Sequence, residues 1–180
     1  MCVATAIRML SARLRAADSA TRTLHRWCEE RRIGHGSILV DKQPLARDER
    51  SDDELLDWLR QPEPGEAIRH RRVTLTRGHV ALSDCDLWWM PGRLDPDMAR
   101  ELDGTASPFG TIIARLRPTR RTIFEALWPT GRPHVLEHRA LVIARVGTQR
   151  PIAAVRELYR RELVEPPMAS ERHRMLAAVQ

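Results

Sequence analysis

The amino-acid sequence predicts an α+β domain, a six-stranded and mainly antiparallel sheet with helices packed on it. Two pairs of Val-, Ile- and Leu-rich segments are joined by turns too short for a crossover, so each pair runs antiparallel. Ile68 to Thr76 returns through Arg77 and Gly78 as Val80 to Met90. His134 to Val146 returns through Gly147, Thr148 and Gln149 as Pro151 to Tyr159. Helix signals lie elsewhere in the chain, and no regular strand–helix–strand alternation connects them.

Residues 3–16 are helical by period, with Ile7, Leu10 and Leu14 on one stripe. Asp18 and Ser19 start a second helix, which carries Leu24, Trp27 and Cys28 and stops near Gly34. Ser37 to Val40 reads as the first strand and residues 41–50 as a polar loop. Ser51 to Glu54 forms a capping box for the helix Leu55 to Leu59, which Gln61 to Gly65 ends. In the third strand Trp88 and Trp89 point to opposite faces. Asp95 and Pro96 start a helix that ends at Gly104, and Ser107 and Pro108 start another over Phe109 to Leu116. Thr119 to Trp128 alternates as the fourth strand, with Thr122, Phe124, Ala126 and Trp128 on one face. Pro166 and Pro167 close one domain over residues 1–165 and leave 166–180 as a tail.

Composition excludes several classes of function. The net charge is +6 and the pI about 10.4, yet Lys42 is the only lysine, so the basic charge is arginine. Arginine suits planar carboxylates. The densest basic run, Arg115 to Arg121, contains no aromatic and reads as a solvated face, so no nucleic-acid partner is expected. Cys2, Cys28 and Cys85 are odd in number and widely spaced, which fits a reducing cytosol and neither a disulfide nor a zinc framework. His134 and His138 are four apart in a strand, about 13 Å, too far to share a metal. Apolar runs are strand-length and the N-terminus lacks a signal-peptide pattern, so a cytoplasmic protein without a membrane partner is expected. No heptad seam asks for a dimer, and a monomer is expected.

Two residues stand out by phase. Glu157 shares a strand face with Ala153, Val155 and Tyr159, and Arg71 shares one with Val73 and Leu75. A carboxylate or guanidinium among core aliphatics is costly without a partner. An arginine there also fits an edge strand reaching for solvent.

In order and spacing, four segments resemble the bacterial chorismate pyruvate-lyases, whose fold is shared with the ligand-sensing domain of a group of transcriptional regulators. Asp18-Ser19-Ala20-Thr21 is similar to that family's D-S-x-T, and Arg71 to Leu75 to its arginine-bearing strand. Ser107-Pro108-Phe109-Gly110 is similar to T-P-L-G, and Arg156-Glu157-Leu158-Tyr159 to T-E-L-F. The resemblance implies that Arg71 holds a substrate carboxylate and that Glu157 faces the ring's oxygen substituents. It also implies main-chain contacts at Ala20 and Phe109, helical flaps over the pocket, and neither metal nor organic cofactor. Asp84, where the family has a glycine, is implied as a further substrate contact, and Phe109 replaces a leucine.

The implied function is a cofactor-free elimination that converts chorismate to 4-hydroxybenzoate and pyruvate, a route that in some organisms feeds ubiquinone. Arg71 would orient the dianion and Glu157 would move a proton. An alternative is a non-enzymatic module that senses a small aromatic acid. Met1 to Ala17 is too short for the winged helix that precedes this fold in the regulators. A third reading is an internal Arg71–Glu157 ion pair without a ligand.

Overall fold

The computed structural model describes residues 2–44, 53–60, 63, 65–105, 107–147 and 150–165. Its strands are β1 (Ile38–Gln43), β2 (Arg69–Arg77), β3 (Val80–Trp89), β4 (Thr119–Leu127), β5 (His134–Ile143) and β6 (Pro151–Arg160). They form one sheet in the order β1-β2-β3-β6-β5-β4, with every neighbouring pair antiparallel. The two hairpins form as their turns predict, and β3 against β6 welds them together.

Boundaries shift where the backbone finds other partners. β1 continues through Gln43 because Asp41, Lys42 and Gln43 extend the ladder opposite Thr74, Val73 and Arg72. β5 ends at Ile143 rather than Val146, because the amides of Arg145 and Val146 both donate to the Leu116 carbonyl, at 3.0 and 3.2 Å. Ser51 and Asp52 of the expected capping box lie outside the described residues. So do turn residues Thr148 and Gln149, positions 45–50 of the polar loop, and the tail 166–180.

The helices are α1 (Val3–Arg15), α2 (Ala20–Arg31), α3 (Asp53–Arg60), α4 (Pro96–Gly104) and α5 (Phe109–Ile112). The predicted helix Phe109 to Leu116 is split into α5 and a 3₁₀ turn, Ala114–Leu116. α3 covers part of the outer sheet face, where Leu55, Leu56 and Leu59 meet Trp88, Met90, Leu141 and Ala154. The other helices cover the inner face in two groups. Ile7, Leu10 and Leu14 of α1 and Leu24 and Trp27 of α2 pack with Val40, Val73, Leu75 and Tyr159. Each such aliphatic is worth about 1.5–3 kcal/mol when fully buried. Met98 and Leu102 of α4 and Ile112 of α5 pack instead with Leu87, Trp89, Val142 and Val155. Cys85 touches both clusters, so the seam between them runs over the middle of the sheet.

Two bulges alter which side chains reach that seam. In β3, Leu75 pairs with Ser83 and Thr76 with Ala81, so Leu82 is the extra residue. In β4 the register skips Ile123, and Phe124 falls opposite Arg139. The expected common face of Thr122, Phe124, Ala126 and Trp128 is therefore broken, and Phe124 turns outward to stack under Arg139. Among the described residues no helix is long and apolar enough to cross a membrane.

Candidate functional site

A cavity of about 380 Å³ occupies the seam, a volume suited to a small molecule. Its floor is the inner sheet face, with Val73, Cys85, Leu87 and Val155 between Arg71 and Glu157. Residues Asp18 to Arg22 at the start of α2 and Pro108 to Gly110 at the start of α5 close it from above. Ser19 caps α2 by accepting from the Arg22 amide at 3.3 Å, which holds the helix start over the cavity.

Arg71 is buried and donates to two carbonyl oxygens, that of Leu102 at 3.1 Å and that of Ser107 at 3.4 Å. Its Nε has no partner, and no carboxylate among the described residues pairs with it. Asp103, the acid nearest in sequence to these carbonyls, is taken by Arg69. Burial pulls the Arg71 guanidinium below its ordinary pKa. A buried guanidinium that lines a cavity and has no acid partner among the described residues has donor capacity left for an anion.

Glu157 is held differently. Arg120 of β4 donates to its Oε2, and the Tyr159 hydroxyl donates to the same oxygen at 2.8 Å. Both side chains of the Arg120–Glu157 pair are almost enclosed, at 4% and 10% exposure. Burial works against the charged form of Arg120, but Glu157, Tyr159 and Cys85 together outweigh it and push the value up. Oε1 of Glu157 makes no hydrogen bond among the described residues. Cys85 completes the floor, its thiol pushed well up by burial and then by Glu157. At the mouth, Arg22, Arg117 and Arg145 are exposed and line the opening, with Asp18 as the other acid.

The structure brings together Arg71, Glu157, Ala20 and Phe109, all of which line the cavity. Arg71 and Glu157 do not pair with each other, because each has its own partners. Asp84 requires correction. Its Cα lies opposite Thr74 and Leu158, on the outer face, while Cys85 lies opposite Val73 and Glu157. The Leu82 bulge shifts the alternation by one residue and sends Asp84 away from the cavity. There it accepts from Thr74, His134 and Arg160; burial raises its pKa, and these partners outweigh burial and lower it. The basic run Arg115 to Arg121 also needs revision, because Arg120 is buried in the site. Its signal was present, since Arg120 precedes Thr122 by two in an alternating strand. His134 bonds Asp84 outside, whereas His138 is buried inside. Among the described residues no cluster of three His, Cys, Asp or Glu could hold a metal.

No family model matches the chain. Its fold resembles that of the effector domain of PhnF from Mycobacterium smegmatis, with a TM-score of 0.52 and 14% identity over 81% of this chain and 90% of that one. A crystal structure of PhnF itself gives 0.51 and 14% over 82% and 66%. The likeness is one of fold: an α+β architecture of the chorismate lyase-like kind, a six-stranded antiparallel sheet with helices packed on it. In sequence, the uncharacterized protein y4mC of Sinorhizobium fredii is 32% identical over 89% of this chain and 76% of that protein. On that identity and coverage the chain belongs to the family of y4mC.

Proposed function

We propose that the chain is a small-molecule-binding domain whose ligand is a ring-sized organic acid, its anionic head on Arg71 and a hydrogen-bond donor group toward Oε1 of Glu157. The observation that carries this reading is the buried Arg71, which has no acid partner among the described residues. A guanidinium offers a carboxylate two parallel charge-assisted bonds and fixes its plane. Arg71 and Glu157 stand two strands apart and two residues offset along them, about 12 Å at ~4.8 Å per strand and ~3.3 Å per residue, with an apolar floor between them. That span and floor suit a flat apolar ring. The likeness in fold to an effector domain agrees with a ligand-sensing role.

Calorimetry with 4-hydroxybenzoate tests the proposal. Arg71→Lys keeps the charge but loses the planar fork, and affinity should fall by ~1–2 kcal/mol. Arg71→Met should lose ~2–4 kcal/mol, because the carboxylate is then buried unpaired. Equal affinity in all three chains would remove Arg71 from the site.

The free Oε1 of Glu157 supports a second reading, chorismate lyase activity. The ring carbon–oxygen bond to the enolpyruvyl group breaks, the ring loses a proton and the departing group gains one. Salt-bridged to Arg120, Glu157 would act as the base that takes the ring proton. Incubation with chorismate should then release pyruvate, and Glu157→Gln should slow release by about 10²–10⁴. Binding of 4-hydroxybenzoate without pyruvate release leaves the sensor reading alone.

A further inference from the structure

We infer that Arg120 determines the charge of the ligand: by neutralising Glu157 in place it lets an anion occupy the cavity, and without it the same cavity would select a neutral molecule. This rests on the organic-acid reading above. Arg71 attracts an anion at one end of the floor, and Glu157 at the other end would repel it. Their common floor is apolar and enclosed, where charges are poorly screened.

Arg120 is placed to remove that conflict. Its Cα lies opposite Val142, on the inner face of β4, and the side chain crosses beneath β5 to reach Glu157. Nη1 donates to Thr122 Oγ1 at 3.1 Å, which fixes the guanidinium while Nη2 meets the carboxylate. Tyr159 secures the other partner by donating to Glu157. The result is a paired, rigid end that offers a ligand a hydrogen-bond acceptor but no uncompensated negative charge. Arg120 is thus a specificity-determining residue that acts through Glu157.

The test uses the full chain, the variants Arg120→Met, Glu157→Gln and their combination, and two probes of equal shape. 4-Hydroxybenzoate is the anion and 4-hydroxybenzamide its neutral counterpart. Arg120→Met should weaken 4-hydroxybenzoate by ~10- to 100-fold, the repulsion between two carboxylates across a ring in an enclosed site. It should change the amide by no more than about threefold, a selectivity that a merely structural role would not produce. The double variant should bind the anion within about threefold of Glu157→Gln alone.

A loss common to both probes, or a double variant still weak for the anion, overturns the inference; the latter would make Arg120 a direct ligand contact. Should Arg120→Met fail to fold, the double variant carries no orphan carboxylate, and its comparison with Glu157→Gln decides the matter alone. If the unmodified chain binds 4-hydroxybenzoate no better than Arg71→Met does, the organic-acid reading has failed and this inference with it. If it binds better but Arg120→Met matches it, only the role of Arg120 has failed.

Discussion

Among the described residues four arginine side chains are buried, and their partners differ in kind. Arg77 donates to the carbonyls of Gly36 at 2.8 Å and Ile33 at 3.1 Å and reaches Glu29. Arg93 joins the carbonyls of Leu59 and Pro151 to Glu66, with Nε 3.1 Å from both carboxylate oxygens. Arg120 has Glu157. Arg71 has carbonyls and, among the described residues, no acid. Removing Arg93 leaves two buried carbonyls and an acid unpaired, so Arg93→Met should lose about 3 kcal/mol. Removing Arg71 relieves an uncompensated buried charge, and that relief offsets the two lost bonds, of which the one to Ser107 is long. Arg71→Met should therefore change the stability of the ligand-free chain by less than about 1 kcal/mol. Urea denaturation of both variants checks this, and an equal large loss would make Arg71 a structural residue. Sequence phase alone marked Arg71 and Glu157 as out of place. It could not name the partner of Glu157, because Arg120 lies 37 residues away in sequence.

At the scale of elements, hairpins were legible and bulges were not. Alternation and short turns define β2 with β3 and β5 with β6. An inserted residue leaves alternation intact on each side, so Leu82 and Ile123 gave no sign in the sequence. The consequence was concrete: counting by twos from Val80 puts Asp84 on the cavity side, and the bulge puts Cys85 there. The end of α2 was legible for a reason the structure sharpens. Arg32 takes a left-handed turn at φ 57°, and Gly34 follows at φ 61° with its Cα pressed on β2. A Cβ at Gly34 would sit 2.2 Å from the Arg77 carbonyl oxygen, whereas one at Gly36 would meet nothing within 4 Å. Both glycines have positive φ, so both substitutions carry strain of about 1 kcal/mol or more. Only Gly34→Ala must also move β2, and it should lose at least ~2 kcal/mol more than Gly36→Ala. Similar denaturation midpoints for the two would show that the strand yields freely.

For the molecule as a whole, α1, β4, β5 and β6 meet at His138, which has no solvent exposure. Ser11 of α1 donates its only proton to Glu125 of β4, so its oxygen accepts from His138 Nε2 at 2.9 Å. That assigns the proton to Nε2 and leaves Nδ1 bare and buried without a partner. Tyr159 lies edge-on to the ring, and the charges of Arg120 and Glu157 in the cavity also act on it. Burial and then Arg120 lower the pKa of His138 below its ordinary 6.5, against the pull of Glu157 and Glu125. Above pH 6.5 the ring is neutral in both the folded and the unfolded chain, and its contribution to stability is complete. Below that pH the unfolded chain takes up a proton that the folded chain refuses. Stability must then fall with pH, by at most about 1.4 kcal/mol per unit. Asp84, Asp86, Glu125 and Glu137 have lowered values, so their contributions are lost only as the pH falls through their ordinary values of 4.5 and 3.8, below this range. Between pH 6.5 and 5 the stability of the unmodified chain should fall more steeply than that of His138→Gln. Parallel stability curves for the two chains would show that His138 accepts its proton in the folded state as readily as in the unfolded one.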